Sequence, residues 1–209
     1  MKYDFPMIIP AIIDRGYIWG WKAVDYFRTK WYQILWGIKA GRGCRFCGPA
    51  MIRTRRRGSI VLGDNVMFVS RSEINPVGLQ NQTIIDTRRG GTIRIGNKSG
   101  FSSVVISTQK SIVIGENVKC GGNVKIFDHD FHSIDAKYRA SSEDAKHVRS
   151  ADIHIADDCF IGADAIILKG VHLGKRVIVA AGSVVMGLDV PDDSMVKGNP
   201  AIITSRKHN

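Results

Sequence analysis

The segment from residue 128 to residue 151 gathers groups able to move a proton. It holds His129, His132 and His147 together with Asp128, Asp130, Asp135, Glu143 and Asp144. Histidine titrates near neutral pH, so one ring can act first as base and then as acid in a single turnover. Such a ring can deprotonate a hydroxyl, which is a poor nucleophile on its own. The candidate bases are His132 and His129. Asp128, Asp130 and Asp135 are candidates to orient the ring. His147 reads as exposed surface, as do His154 and His172. A polar stretch of this length inside a patterned chain is where function concentrates on a rigid scaffold.

The scaffold is a repeat of six. From Ile155 the sequence steps through Ile161, Ile167, Leu173, Val179 and Val185, all branched aliphatics. Four places on from the first five of these stand Cys159, Ala165, Val171, Val177 and Ser183, which are small or β-branched. This period fits neither a single helix nor an alternating strand, and it points to a solenoid of stacked short strands and corners. No single repeat can bury its own aliphatic residue, so the array stands only as a stack. Earlier repeats read as Ala40, Phe46 and Ile52, then Leu62, Phe68 and Ile74, then Ile95, Phe101 and Ser107, then Ile114, Cys120 and Ile126. Residues Asn75 to Gly91 break the count, and the polar segment after Phe127 breaks it again.

The N-terminal section differs. All four tryptophans lie there, at 19, 21, 31 and 36. Val24, Phe27, Trp31, Ile34, Leu35 and Ile38 recur at helical spacing and predict a helix over about 22–37. Two readings follow: a cap over the open end of the solenoid, or an interfacial helix making a peripheral membrane contact, given tryptophan beside lysine and arginine. The chain carries a net charge of +11, which suggests an anionic partner. No apolar run has the roughly 18 residues of a membrane span, and the first residues lack a secretory layout. These features predict a cytoplasmic location, with a peripheral membrane contact through the helix as the further reading. Cys44 and Cys47 form one CxxC without two further ligands at zinc-site spacing, so the cysteines read as structural thiols.

At DHDFHSID (128–135), IGADAIILKGVHLG (161–174), AAGSVV (180–185) and VKGNPA (196–201), the chain resembles the hexapeptide-repeat O-acetyltransferases. These include the galactoside and maltose acetyltransferases and enzymes that modify surface polysaccharides. The resemblance implies an all-β fold, a left-handed parallel β-helix with an N-terminal helical cap, covering about 38–203, with a catalytic loop over 127–151 and a basic tail from 204. It implies a homotrimer with active sites between neighbouring subunits. It implies acetyl-CoA as co-substrate, no metal, and direct transfer of acetyl to a hydroxyl of a sugar or glycan precursor. The family's histidine opens a stretch such as HPLDPVER, and His132 through Arg139 matches it, so the resemblance favours His132 over His129. Contacts to acetyl-CoA map onto Ala163, Ala181, Gly182 and Ser183. The backbone N–H of Ala163 is also the candidate oxyanion donor. Where the family often has Thr-Lys, this chain has Met186-Gly187, and a basic position near the end is Ile202. The phosphates of the donor are therefore assigned to Lys197, Arg206 or Lys207. The acceptor maps onto Ser102 and Asp130.

Two other classes are carried. A zinc hydratase like the γ-class carbonic anhydrases needs three converging histidines, and His129 and His132 supply a pair. A non-enzymatic binder of nucleic acid rests on charge alone. The aromatics cluster in the helix and are not interleaved with basic residues on strands, so no nucleic-acid partner is expected.

Overall fold

The computed structural model describes residues 8–205. From Lys39 the chain winds through three parallel sheets, each turn adding one short strand to each sheet. Sheet 1 runs from Lys39–Ala40 to Asp189–Val190, sheet 2 from Arg45–Cys47 to Ala201–Ser205, and sheet 3 from Ala50–Arg53 to Val184–Val185. Every pairing is parallel except the last, where Ala201–Ser205 folds back on Ser194–Gly198. This is the left-handed parallel β-helix expected above.

The period of six arises because a two- or three-residue strand is followed by a tight corner. One inward residue per strand keeps the step of six, and the longer strands of sheet 1 bury a second, as Ile93 with Ile95 and Ile112 with Ile114. Ile155, Ile161, Ile167, Leu173, Val179 and Val185 are all buried, as are the small residues four places on from the first five. In sheet 2 the inward column begins with three rings, Phe46 on Phe68 at 4.8 Å and Phe68 on Phe101 at 5.0 Å, nearly parallel. The corner before each parallel strand of sheet 2 carries a left-handed residue, namely Gly43, Asn65, Lys98, Asn117, Asp158, Arg176 and Asp193. Asparagine, aspartate and glycine tolerate that conformation best, which explains the Gly-Asn and Asp-rich corners of the sequence.

Two repeats depart from the count. Ile74 is exposed; the chain leaves the stack after the sheet 2 strand Met67–Val69 and rejoins it only at the sheet 3 strand Thr83–Asp86, so Ile85 fills the inward place instead. In the next coil Ile106, not Ser107, completes the set, because the corner there is one residue shorter than in the coil above. The register shift falls between Cys120 and Gly122.

The helix is longer than its periodic half suggested and spans Ile8–Trp36. Pro10 lies in its first turn, where a missing N–H costs nothing. Gly37, at φ 61°, ends it. The helix does cover the first coil, but with the face opposite to the apolar stripe. Thr29 Oγ1 accepts from Phe46 N at 2.9 Å, Tyr32 OH from Ala50 N at 3.1 Å, and Asp25 Oδ1 from Gly48 N at 3.2 Å. The open edge of a sheet presents unpaired N–H groups, so polar side chains satisfy it better than apolar ones. Val24, Phe27, Trp31, Ile34 and Leu35 consequently point to solvent.

Candidate active site

Ordinary corners from sheet 3 to sheet 1 take three residues, as at 169–171. After Lys125–Phe127 the chain instead makes the excursion 128–152 before Ile153–Ile155. Its two ends are zipped together: Ala151 N donates to Asp128 O at 3.0 Å and Asp130 N to Arg149 O at 3.1 Å. The excursion contains a short helix, Ala136–Arg139, capped by Asp135.

Asp128 sits at the base, fully buried, and its carboxylate is held from four sides. It accepts from Thr108 Oγ1 at 2.5 Å, from the N–H groups of Gln109 at 2.7 Å and Lys110 at 2.8 Å, and from His129 Nδ1 at 3.0 Å. Burial acts to raise its pKa, but the bonds from His129, Thr108, Gln109 and Lys110 outweigh it and hold the acid below the usual aspartate range. With its pKa depressed in the folded state, Asp128 contributes stability that is complete above the unfolded value and lost as pH falls through the folded one. Thermal melts from neutrality to below about pH 4 should show an acid-side fall in Tm. Asp128→Asn should start lower, by roughly 1–3 kcal/mol, and fall less steeply in that window.

With Nδ1 donating to Asp128, His129 presents Nε2 as its acceptor nitrogen. That atom is buried and has no hydrogen-bond partner. Among the described residues five buried side-chain polar atoms lack partners, and three belong to this cluster: His129 Nε2, Gln109 Oε1 and Asp130 Oδ2. Native proteins leave few such atoms unsatisfied without reason. The Phe131 ring covers the imidazole at 4.4 Å. Phe131 is itself in the left-handed region at φ 64°, an outlier for a bulky residue. Arg89 donates to Phe131 O at 3.0 Å.

His132, the base favoured from sequence, stands elsewhere. Its side chain is 68% exposed, and Nδ1 lies 2.6 Å from Asp144 Oδ2. Asp144 also accepts from Ser133 N at 2.6 Å, and that bond and His132 keep its pKa low. Arg139, the residue that completed the sequence match, donates to the carbonyls of Ser133 and Ile134 and so closes this turn of the loop. Of the other carboxylates, Asp135 is used in capping, and Asp130 pairs with Lys169 and not with a histidine. His147 is stacked on Tyr138 at 3.5 Å. His154 and His172 are exposed on sheet 1, as expected.

The residues expected to meet the co-substrate lie at the other end of the sheet 3 strands. Ala163, and Ala181 with Gly182, occupy the corner from sheet 2 to sheet 3 in successive coils. A Cβ on Gly162 would lie 2.4 Å from Ala181 N, and one on Gly121 2.6 Å from Ala163 N, so only glycine lets these corners stack. Ala181 and Gly182 are exposed, whereas Ser183 is buried and accepts from Gly198 N at 3.1 Å. Lys197 is exposed; Arg206 and Lys207 lie outside the described residues. Ser102 is half-buried and accepts from Asn75 Nδ2 at 2.7 Å. In one chain, His129 and this corner are thus separated by a strand of about 10 Å.

No group of three or more His, Cys, Asp or Glu among the described residues is arranged to hold a metal ion. The thiols are free, and burial raises their pKa, that of Cys159 to about 11. The residues sequence reasoning missed are Thr108, Gln109, Phe131 and Lys169. The first two could have been found by aligning coils, since Asp128 N bonds to Ser107 O directly beneath it.

A family model described as the hexapeptide repeat of succinyl-transferase matches residues 153–186. YvoF of Bacillus subtilis (strain 168) is 31% identical over 118 residues, which is 55% of this chain and 61% of YvoF. The chain thus spans under two thirds of that relative's length. Among solved structures, the hexapeptide-repeat acetyltransferase VCA0836 of Vibrio cholerae O1 biovar eltor, complexed with acetyl-CoA, is 26% identical. That match has a TM-score of 0.55 and covers 88% of this chain and 78% of VCA0836. AntD of Bacillus cereus, an N-acyltransferase in complex with dTDP and 3-hydroxybutyryl-CoA, shares the fold at TM-score 0.68 with 16% identity, covering 87% of this chain and 88% of AntD. The resemblance drawn from the sequence motifs therefore holds.

Proposed function

We propose that this chain transfers acetyl from acetyl-CoA to a hydroxyl of a sugar or glycan precursor, with His129 as general base. The observation that carries the reading is the buried Asp128–His129 pair with Nε2 left unpartnered. A hydroxyl needs such a base more than a neutral amine does, because the amine lone pair attacks without prior proton removal whereas a hydroxyl is a poor nucleophile until its proton is taken. In this reading Phe131 swings off the ring and the acceptor hydroxyl takes its place. His129 Nε2 removes the proton as the oxygen attacks the thioester carbonyl. The imidazolium, steadied by Asp128, then returns the proton to the departing sulfur. The backbone N–H of Ala163 is the proposed oxyanion donor. His132 drops to second choice, because its ring is open to water and hydrogen-bonded within its own loop.

Acetyl-CoA as donor is supported by the match to VCA0836 and by the small-residue corner at Ala163, Ala181 and Gly182. Lys197 and Arg206 are proposed for its phosphates, and Ser102 and Asp130 for the acceptor. A homotrimer is supported by two features. The outward row of sheet 3, Met51, Ile84, Val105, Ile166 and Val184, is apolar apart from Lys125. The distance between His129 and the small-residue corner also favours a site shared between copies. Location in the cytoplasm is part of the same proposal.

Thiol release from acetyl-CoA, measured against a panel of sugars, amino sugars and glycolipid precursors, tests this. The expected product is labile to hydroxylamine, as an ester is. A stable product would mean an amine acceptor, and zinc-dependent CO2 hydration without thiol release would remove the proposal.

A further inference from the structure

The helix Ile8–Trp36 is amphipathic, yet it turns its apolar side away from the protein. Phe27 is 70% exposed, Trp31 61% and Ile34 68%, with Val24 and Leu35 alongside. The face on the solenoid is instead Asp25, Thr29 and Tyr32. An unpartnered aromatic and aliphatic stripe of this size is not ordinary surface scatter.

The rim of the stripe is basic. Lys30 lies over the Tyr26 ring at 5.8 Å and Lys22 over the Trp19 ring at 5.6 Å. At the C-terminal end, Arg57 donates to Ile34 O at 3.0 Å, which brings the exposed run Arg55, Arg56 and Arg57 against the same stripe. Among the helix side chains described, the one carboxylate, Asp25, is buried on the opposite face. A second copy docked face to face would set one basic rim against another. An anionic lipid surface matches both parts: apolar side chains enter the acyl boundary while lysine and arginine meet phosphate headgroups.

We infer that an anionic membrane surface docks on this outward face of the helix, with the Arg55–Arg57 corner as its second point of attachment. No helix among the described residues is long and apolar enough to cross a membrane, so the helix lies in the interface. The inference is independent of the acyl-transfer reading.

Co-sedimentation of the full chain with vesicles tests it, comparing phosphatidylcholine alone with phosphatidylcholine plus phosphatidylglycerol. Binding is expected to the anionic vesicles only, weakening with salt. The pair Phe27→Glu and Trp31→Glu should reduce it by about tenfold or more, and Arg55→Glu with Arg56→Glu by about fivefold per charge lost. Tryptophan emission of the unmodified chain should shift to the blue on anionic vesicles and be quenched by brominated lipid. Absence of binding and of the emission shift overturns the inference. So does full binding by a folded Phe27→Glu, Trp31→Glu protein. A lower mass of that variant in light scattering would also overturn it, by showing that a second copy covers the face.

Discussion

His129→Ala lowers the rate of acetyl transfer by about 10²–10⁴-fold, the usual worth of a positioned acid–base group. His132→Ala stays near the unmodified rate. The two rings differ in surroundings, not in chemistry. His129 is enclosed, with its tautomer set by a carboxylate that four donors hold in place. His132 is open to water, and its partner Asp144 belongs to a surface turn. Affinity for CoA, measured by calorimetry, should be unchanged in both variants, so that loss of rate is not loss of binding. A silent His129 beside an inactive His132 variant would return the role to the residue the motif favoured.

Phe68→Ala destabilises the solenoid by about 3–5 kcal/mol. Phe68 is the middle ring of three, so its removal opens a cavity and also breaks the two stacking contacts with Phe46 and Phe101. Urea unfolding followed by circular dichroism would read the loss as a lower midpoint. Phe68→Leu should recover part of it, because it restores apolar volume without the stacked faces. In a one-dimensional stack each coil contacts only its neighbours. A weakened second coil therefore separates the end capped by the helix from the coils that carry His129, and the transition should broaden as well as shift.

The period of six was readable because burial inside a narrow prism demands one aliphatic residue per side. The two slips, Ile74 for Ile85 and Ser107 for Ile106, fell where chain was added or removed at a corner, and a fixed step cannot see that. The helix shows a different limit. Spacing identified an apolar stripe but not the direction it faces, because an amphipathic pattern says only that two faces differ. Here the decisive fact was the row of unpaired N–H groups on the first coil, which drew Asp25, Thr29 and Tyr32 inward. The motif favours His132 and the surroundings of the rings favour His129 for a related reason. Resemblance compares letters along a loop, whereas the geometry that distinguishes the rings comes from residues 108–110 on the coil below.

The excursion that carries both histidines leaves and re-enters the stack at almost one point, tied by the bonds of Asp128 with Ala151 and of Asp130 with Arg149. The coils on either side keep their register across it, with Ile112 beside Ile153 and Ile126 beside Ile167. The excursion is therefore a graft on a trunk that does not register its length. The residues beyond the zipped base, 131–148, can therefore vary in length and sequence without disturbing the coils, whereas Asp128, bonded to Thr108, Gln109 and Lys110, must stay for the join to hold.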